Sequence, residues 1–91
     1  MSLSTTDRKL LDLCAFVDRY WRQHGYGPAT RDMQEALNTP TTSTVHYYVK
    51  LGCEIGWLVR APGRSRTVRL TELGRMALAD RAAAAANLYL W

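Results

Sequence analysis

Near the start of the chain, apolar residues recur at spacings of three and four: Leu10, Leu13, Cys14, Val17 and Trp21 form one stripe, widened by Leu11, Phe16 and Tyr20. That period predicts an amphipathic core helix. Thr5 or Thr6 is placed to cap it, Asp7 lies near its positive end, and Gly25, Gly27 and Pro28 stop it near His24. A second, shorter pattern puts Met33, Ala36 and Leu37 on the inner side of a helix from Arg31 to about Leu37, with Thr30 as its cap. So short a helix is marginal alone, so its neighbours must hold it in a compact packing.

Asn38-Thr39-Pro40 reads as a turn, because Asn tolerates the left-handed conformation that ends a helix and Pro40 biases Thr39 away from helix. A third helix then starts in the Thr/Ser cluster at Thr41, with Val45, Val49 and Ile55 as apolar anchors and Gly56 as its stop. Its outward side chains are small and polar: Ser43, Thr44, His46, Tyr47 and Lys50. Such groups can meet base edges and phosphates without needing a pocket. A helix, a short turn and a helix with a polar amino-terminal face is the helix-turn-helix order, in which the second helix of the pair enters the DNA major groove. Beyond it, Trp57–Arg60 and Arg66–Leu70 read as two short strands around Pro62-Gly63, giving a hairpin whose tip carries Arg64 and Arg66.

The charge distribution strengthens this picture. Between Lys50 and Arg69, Lys50, Arg60, Arg64, Arg66 and Arg69 stand against Glu54 alone, which accounts for the whole formal charge of +4. A phosphate backbone rewards charge gathered on the third helix and hairpin, whereas a module that binds protein has no need of it; a protein- or RNA-interaction module without sequence-specific DNA readout is the alternative reading. With 91 residues, 47% of them apolar, the chain holds one modest core. Cys14 and Cys53 lack metal-type spacing and read as buried, reduced thiols. No apolar run reaches the length that spans a bilayer and no signal pattern opens the chain, so a cytoplasmic location is expected. His24 and His46 lie in different elements, with no nucleophile motif, phosphate loop or metal spacing near either, which argues against an enzyme. No pattern identifies a cofactor or a small-molecule effector.

The segments Thr30-Arg31-Asp32-Met33-Gln34-Glu35-Ala36-Leu37, Ser43-Thr44-Val45-His46-Tyr47-Tyr48-Val49-Lys50 and Gly56-Trp57-Leu58 together resemble the winged-helix DNA-binding domain of the LexA repressor family. Gly25-Tyr26-Gly27-Pro28-Ala29-Thr30 is similar to that family's link between its first two helices, and the resemblance covers roughly residues 5–70. It implies a repressor-like winged helix with Thr41, Ser43, Thr44, His46 and Tyr47 facing the operator. Gly52 departs from it, standing where such domains usually place a bulky core residue, so a kink or the close approach of another element is expected there. No counterpart of the family's Ser/Lys self-cleaving domain is present, so self-cleavage is not implied.

The segment from Thr71 predicts a last helix reaching about Asn87. Leu70-Thr71-Glu72-Leu73-Gly74-Arg75 resembles the post-wing helix of MarR-like regulators, in which such helices often form the dimer contact. Leu73, Met76, Ala77 and the alanine run offer a smooth face, and Leu88, Tyr89, Leu90 and Trp91 add apolar area. The expected fold is therefore mainly α with a small β-hairpin: a winged helix-turn-helix over residues 1–70, and a C-terminal helix and apolar tail over 71–91 as a dimerisation element. The expected partners are double-stranded DNA and a second copy of the chain, with Thr41 and Lys50 on phosphates, Ser43, Thr44, His46 and Tyr47 at bases, and Arg64 and Arg66 on the backbone. The expected role is that of a transcriptional regulator, a repressor.

Overall fold

A computed structural model of the chain describes residues 4–89, with side chains through Ala84. Helix α1 (Thr5–His24), helix α2 (Thr30–Leu37) and helix α3 (Thr42–Glu54) are followed by strands β1 (Leu58–Val59) and β2 (Arg69–Leu70), then helix α4 (Glu72–Tyr89). The result is the expected mainly helical winged helix-turn-helix with one added helix.

Ser4, one residue before the threonines expected to do so, caps α1: its hydroxyl accepts the Asp7 N–H at 3.1 Å. Gly25 ends the helix at φ 77°, with its N–H on the Trp21 carbonyl. Leu10, Leu11, Leu13, Cys14 and Val17 are buried. Trp21, at the end of the stripe, is half-buried and donates its indole N–H to the Val68 carbonyl at 2.6 Å. Burial pushes the Cys14 thiol up to about 12, with Arg81 pulling weakly the other way. Cys53, expected to be buried, is partly exposed, and neither cysteine is in a disulfide.

In α2, Thr30 is the first helical residue and not the cap. Ala29 precedes it, and its N–H is satisfied by the Asp32 carboxylate at 2.9 Å. Met33 and Leu37, four apart, are buried, whereas Ala36 is exposed and not inward as expected. A helix of eight residues presents a contact stripe about one side chain wide, and this pair fills it. Asn38 takes the left-handed conformation, φ 51°, that the turn requires.

Helix α3 buries Val45, Tyr48, Val49 and Gly52, an i, i+3, i+4, i+7 set. Ile55, expected as an anchor, is 41% exposed: it is the C-cap, where the helical period has ended, and Tyr48 takes up the core position. The helix runs unbroken through Gly52, and another element approaches closely there. A Cβ at Gly52 would stand 2.6 Å from Leu58 Cδ1 and 3.2 Å from Leu10 Cδ1.

The hairpin pairs Leu58 with Leu70 and Val59 with Arg69, antiparallel. Its strands are shorter than expected because the returning segment leaves the ladder early. Arg66 adopts φ 59°, and the Thr67 hydroxyl accepts the Ala61 N–H and donates to the Arg64 carbonyl, each at 3.0 Å, which closes the loop on itself. Residues 66–68 run instead beside the α1–α2 link, where the Gly27 N–H meets the Arg66 carbonyl at 2.9 Å. A Cβ on Gly27 would fall 2.7 Å from the Val68 oxygen and 2.8 Å from the Arg66 oxygen.

Thr71 caps α4, accepting the Gly74 N–H at 3.1 Å and donating to the Gly56 carbonyl. The helix lies on α1, with Leu78 against the core and Arg81 paired to Asp12 at 2.8 Å. Leu73 and Met76 stay exposed. The alanine side chains beyond Ala84 and those of Leu88, Tyr89, Leu90 and Trp91 lie outside the described residues.

The two tight glycines differ in what surrounds them. Gly27→Ala drives a methyl into two backbone carbonyls and should cost about 3 kcal/mol or more, whereas Gly52→Ala meets a leucine side chain and regains helix propensity, for a net loss of about 1 kcal/mol. Urea midpoints of the two variants check the order, and an equal or reversed order would show that the wing base is not packed this closely.

Candidate nucleic-acid interface

The burial of Val45, Tyr48, Val49 and Gly52 sets the rotation of α3, and the opposite face is Ser43, His46, Tyr47 and Lys50, all exposed. Thr41 stands at the head of this face, where its hydroxyl accepts the Thr44 N–H at 3.4 Å and lies 3.1 Å from the Thr44 hydroxyl. These two hydroxyls therefore hold the helix end as well as facing outward. Tyr47 is 56% exposed, its ring set edge-on against Tyr48 at 5.4 Å, so a buried neighbour limits where it can point. Gly63, at φ 73°, and an Arg64 N–H bond to the Ala61 carbonyl shape the wing tip. Among the described residues the Arg64 guanidinium has no hydrogen-bond or ion-pair partner.

Between α2, α3 and the wing lies a cleft of about 70 Å³, lined among others by Thr30, Val45, His46, Arg60, Arg64 and Arg66. The fold thus brings His46 of α3 together with both wing arginines. Thr41, Ser43, Thr44, Tyr47 and Lys50 do not line this cleft; they extend it as the outer face of α3. Arg60 and Thr30 join the site without having been expected among its residues. Arg60 was legible as part of the basic run, whereas Thr30 carries no signal until α2 and α3 are docked.

The two wing arginines differ. Arg66 lies with its Nη1 3.3 Å from the Tyr20 hydroxyl and 3.7 Å from the Asp32 carboxylate, its guanidinium 5.5 Å over the Tyr26 ring, and its side chain 48% exposed. Arg69 likewise sits 5.2 Å over the Trp21 ring. Arg60 and Arg64 are left to project from the loop.

Among the described residues, no group of three or more His, Cys, Asp or Glu side chains could hold a metal ion, and no helix is long and apolar enough to cross a membrane. No family model matches the chain. It is similar to the LexA repressor of Anaeromyxobacter dehalogenans, 34% identical over 83 residues, which is 91% of this chain and 36% of that protein. It is also similar to those of Oenococcus oeni, 32% identical over 72 residues (79% of this chain, 34% of that one), and Acidiphilium cryptum, 32% identical over 74 residues (81% and 32%). The chain thus spans about a third of the length of the curated relatives it matches. Sequence similarity and architecture together make it a LexA-like winged helix-turn-helix.

Proposed function

We propose that the chain is a sequence-specific double-stranded DNA-binding regulator of transcription, a repressor, working in the cytoplasm. The observation that carries this reading is the coincidence of two features: the only surplus of positive charge in the sequence falls on α3 and the wing, and α3 turns a short polar face to the same side. Helix α3 enters the major groove. Ser43, Thr44, His46 and Tyr47 read or flank bases, Thr41 and Lys50 hold phosphates, and the wing lies along the backbone through Arg64, with Arg66 beside it. The similarity to proteins named LexA repressors supports the same reading.

The second part of the proposal is a homodimer. Leu73 and Met76 lie one turn apart on α4 and are 51% and 56% exposed, although Leu78 of the same helix packs against the core and Arg81 reaches Asp12 on α1, and a two-fold pair would match an operator of two half-sites.

Replacing Lys50 or Arg64 with Ala should weaken binding to all duplexes alike and lower the salt slope by about one, while Ser43→Ala or His46→Ala should change which sequences are preferred in a selection from random duplexes. Fluorescence anisotropy across a salt series separates the two classes, and an absence of affinity even at low ionic strength would sink the DNA reading. For the dimer, Leu73→Glu with Met76→Glu changes exposed positions without disturbing the core. Sedimentation should then show the mass falling from two chains to one, and an unchanged mass would remove this face from the interface.

A further inference from the structure

We infer that Arg66 acts as a latch that orients the wing, held by Tyr20, Tyr26 and Asp32, so that residues outside the DNA-facing surface set how well the wing engages DNA. This rests on the DNA-binding reading for its consequence, though not for the latch itself.

Two residue pairs make up the hairpin ladder, Leu58 with Leu70 and Val59 with Arg69, and a ladder so short cannot orient the loop beyond it. The loop is fixed at its base by the body of the domain: the Gly27 N–H bonds the Arg66 carbonyl, and the Trp21 indole bonds the Val68 carbonyl. Arg66 completes this attachment. Its left-handed backbone, φ 59°, is one that side chains other than glycine adopt rarely. Here it accompanies a side chain that reaches three elements at once: Tyr20 on α1, Tyr26 in the link and Asp32 on α2. The receiving surface is itself a packed set of rings, with Tyr20 4.2 Å from His24 and 5.9 Å from Tyr26, and His24 5.7 Å from Tyr26. A guanidinium is suited to this seat, since its planar fork bonds and stacks together in a way an ammonium cannot. Arg64, two residues earlier, and Arg60 across the loop take their positions beside His46 from this anchor.

The alternative role for Arg66, a phosphate contact, predicts different behaviour. A phosphate contact would tolerate lysine and would be indifferent to, or helped by, the loss of the groups that hold it back. A latch would fail with lysine and weaken when those groups are removed. Tyr20→Phe is the cleanest probe, because it removes one hydroxyl and no charge. Asp32 is less suitable, since its carboxylate also receives the Ala29 N–H at the start of α2.

The test uses the full chain with a mixed-sequence duplex as probe, and compares the wild type with Tyr20→Phe, Arg66→Lys and Arg64→Ala, singly and combined. Tyr20→Phe and Arg66→Lys should each weaken binding roughly three- to tenfold, and this loss should vanish in the Arg64→Ala background because the wing has then already lost its contact. In parallel, hydrogen exchange at the Gly27 amide is measured without DNA, and both variants should accelerate it by about threefold or more. Unchanged Gly27 exchange overturns the latch, whatever the affinity. Faster exchange with wild-type affinity for DNA retains the latch and overturns its role in binding. If the wild type itself fails to bind duplex, the DNA reading falls while Gly27 exchange still decides the latch.

Discussion

Everything on the outer face of α3 depends on what its inner face must bury. Val45, Tyr48 and Val49 enter the core, and at Gly52 the helix presses so closely on Leu58 and Leu10 that even a methyl group would displace the Leu58 side chain. This contact fixes the helix about its own axis, and a rotation of one residue would carry it through about 100°. The exposed row of Ser43, His46, Tyr47 and Lys50 is thus a consequence of packing, and no contact among those four residues is needed to create it. The same approach seats β1 against α3, which places the wing alongside that row.

The wing depends on a second close approach. Two-residue strands leave most of the loop outside any ladder, and its position is transmitted from α1 and the α1–α2 link through Gly27, Trp21 and Arg66. The basic residues therefore have two fates. Arg66 and Arg69 lie over aromatic rings of the body, while Arg60 and Arg64 project from the loop. A charge count along the sequence treats all four alike.

How much was legible followed the range of the interaction. The α1 stripe, the α2–α3 turn at Asn38, a cap within the Thr/Ser cluster and the polar row of α3 rest on local period and capping, and the pattern of residues revealed them. Tyr48 in place of Ile55 was missed because the helix ended one residue before the apolar period did, a matter of where the chain turns at Gly56. The exposure of Ala36 and the short strands came from tertiary competition: Met33 and Leu37 filled the α2 contact, and the Thr67 hydroxyl together with the α1–α2 link took the hydrogen bonds that a longer ladder would have used. Of the candidate site, the sequence suggested its residues but not their grouping. His46, Arg60, Arg64 and Arg66 meet across a cleft between elements up to 20 residues apart, and the attachment of Arg66 to Tyr20 spans 46.

The central claim is that α3 and the wing form one DNA-binding surface. Its most direct test is to titrate a mixed-sequence duplex into isotope-labelled protein at low salt and follow each backbone amide by NMR. The account predicts that the largest shift changes cluster at Thr41–Lys50 and at Arg60–Arg64, with the α1–α4 side around Ala15 and Leu78 nearly silent. Changes centred on α4, or shifts spread evenly over the molecule, would contradict it.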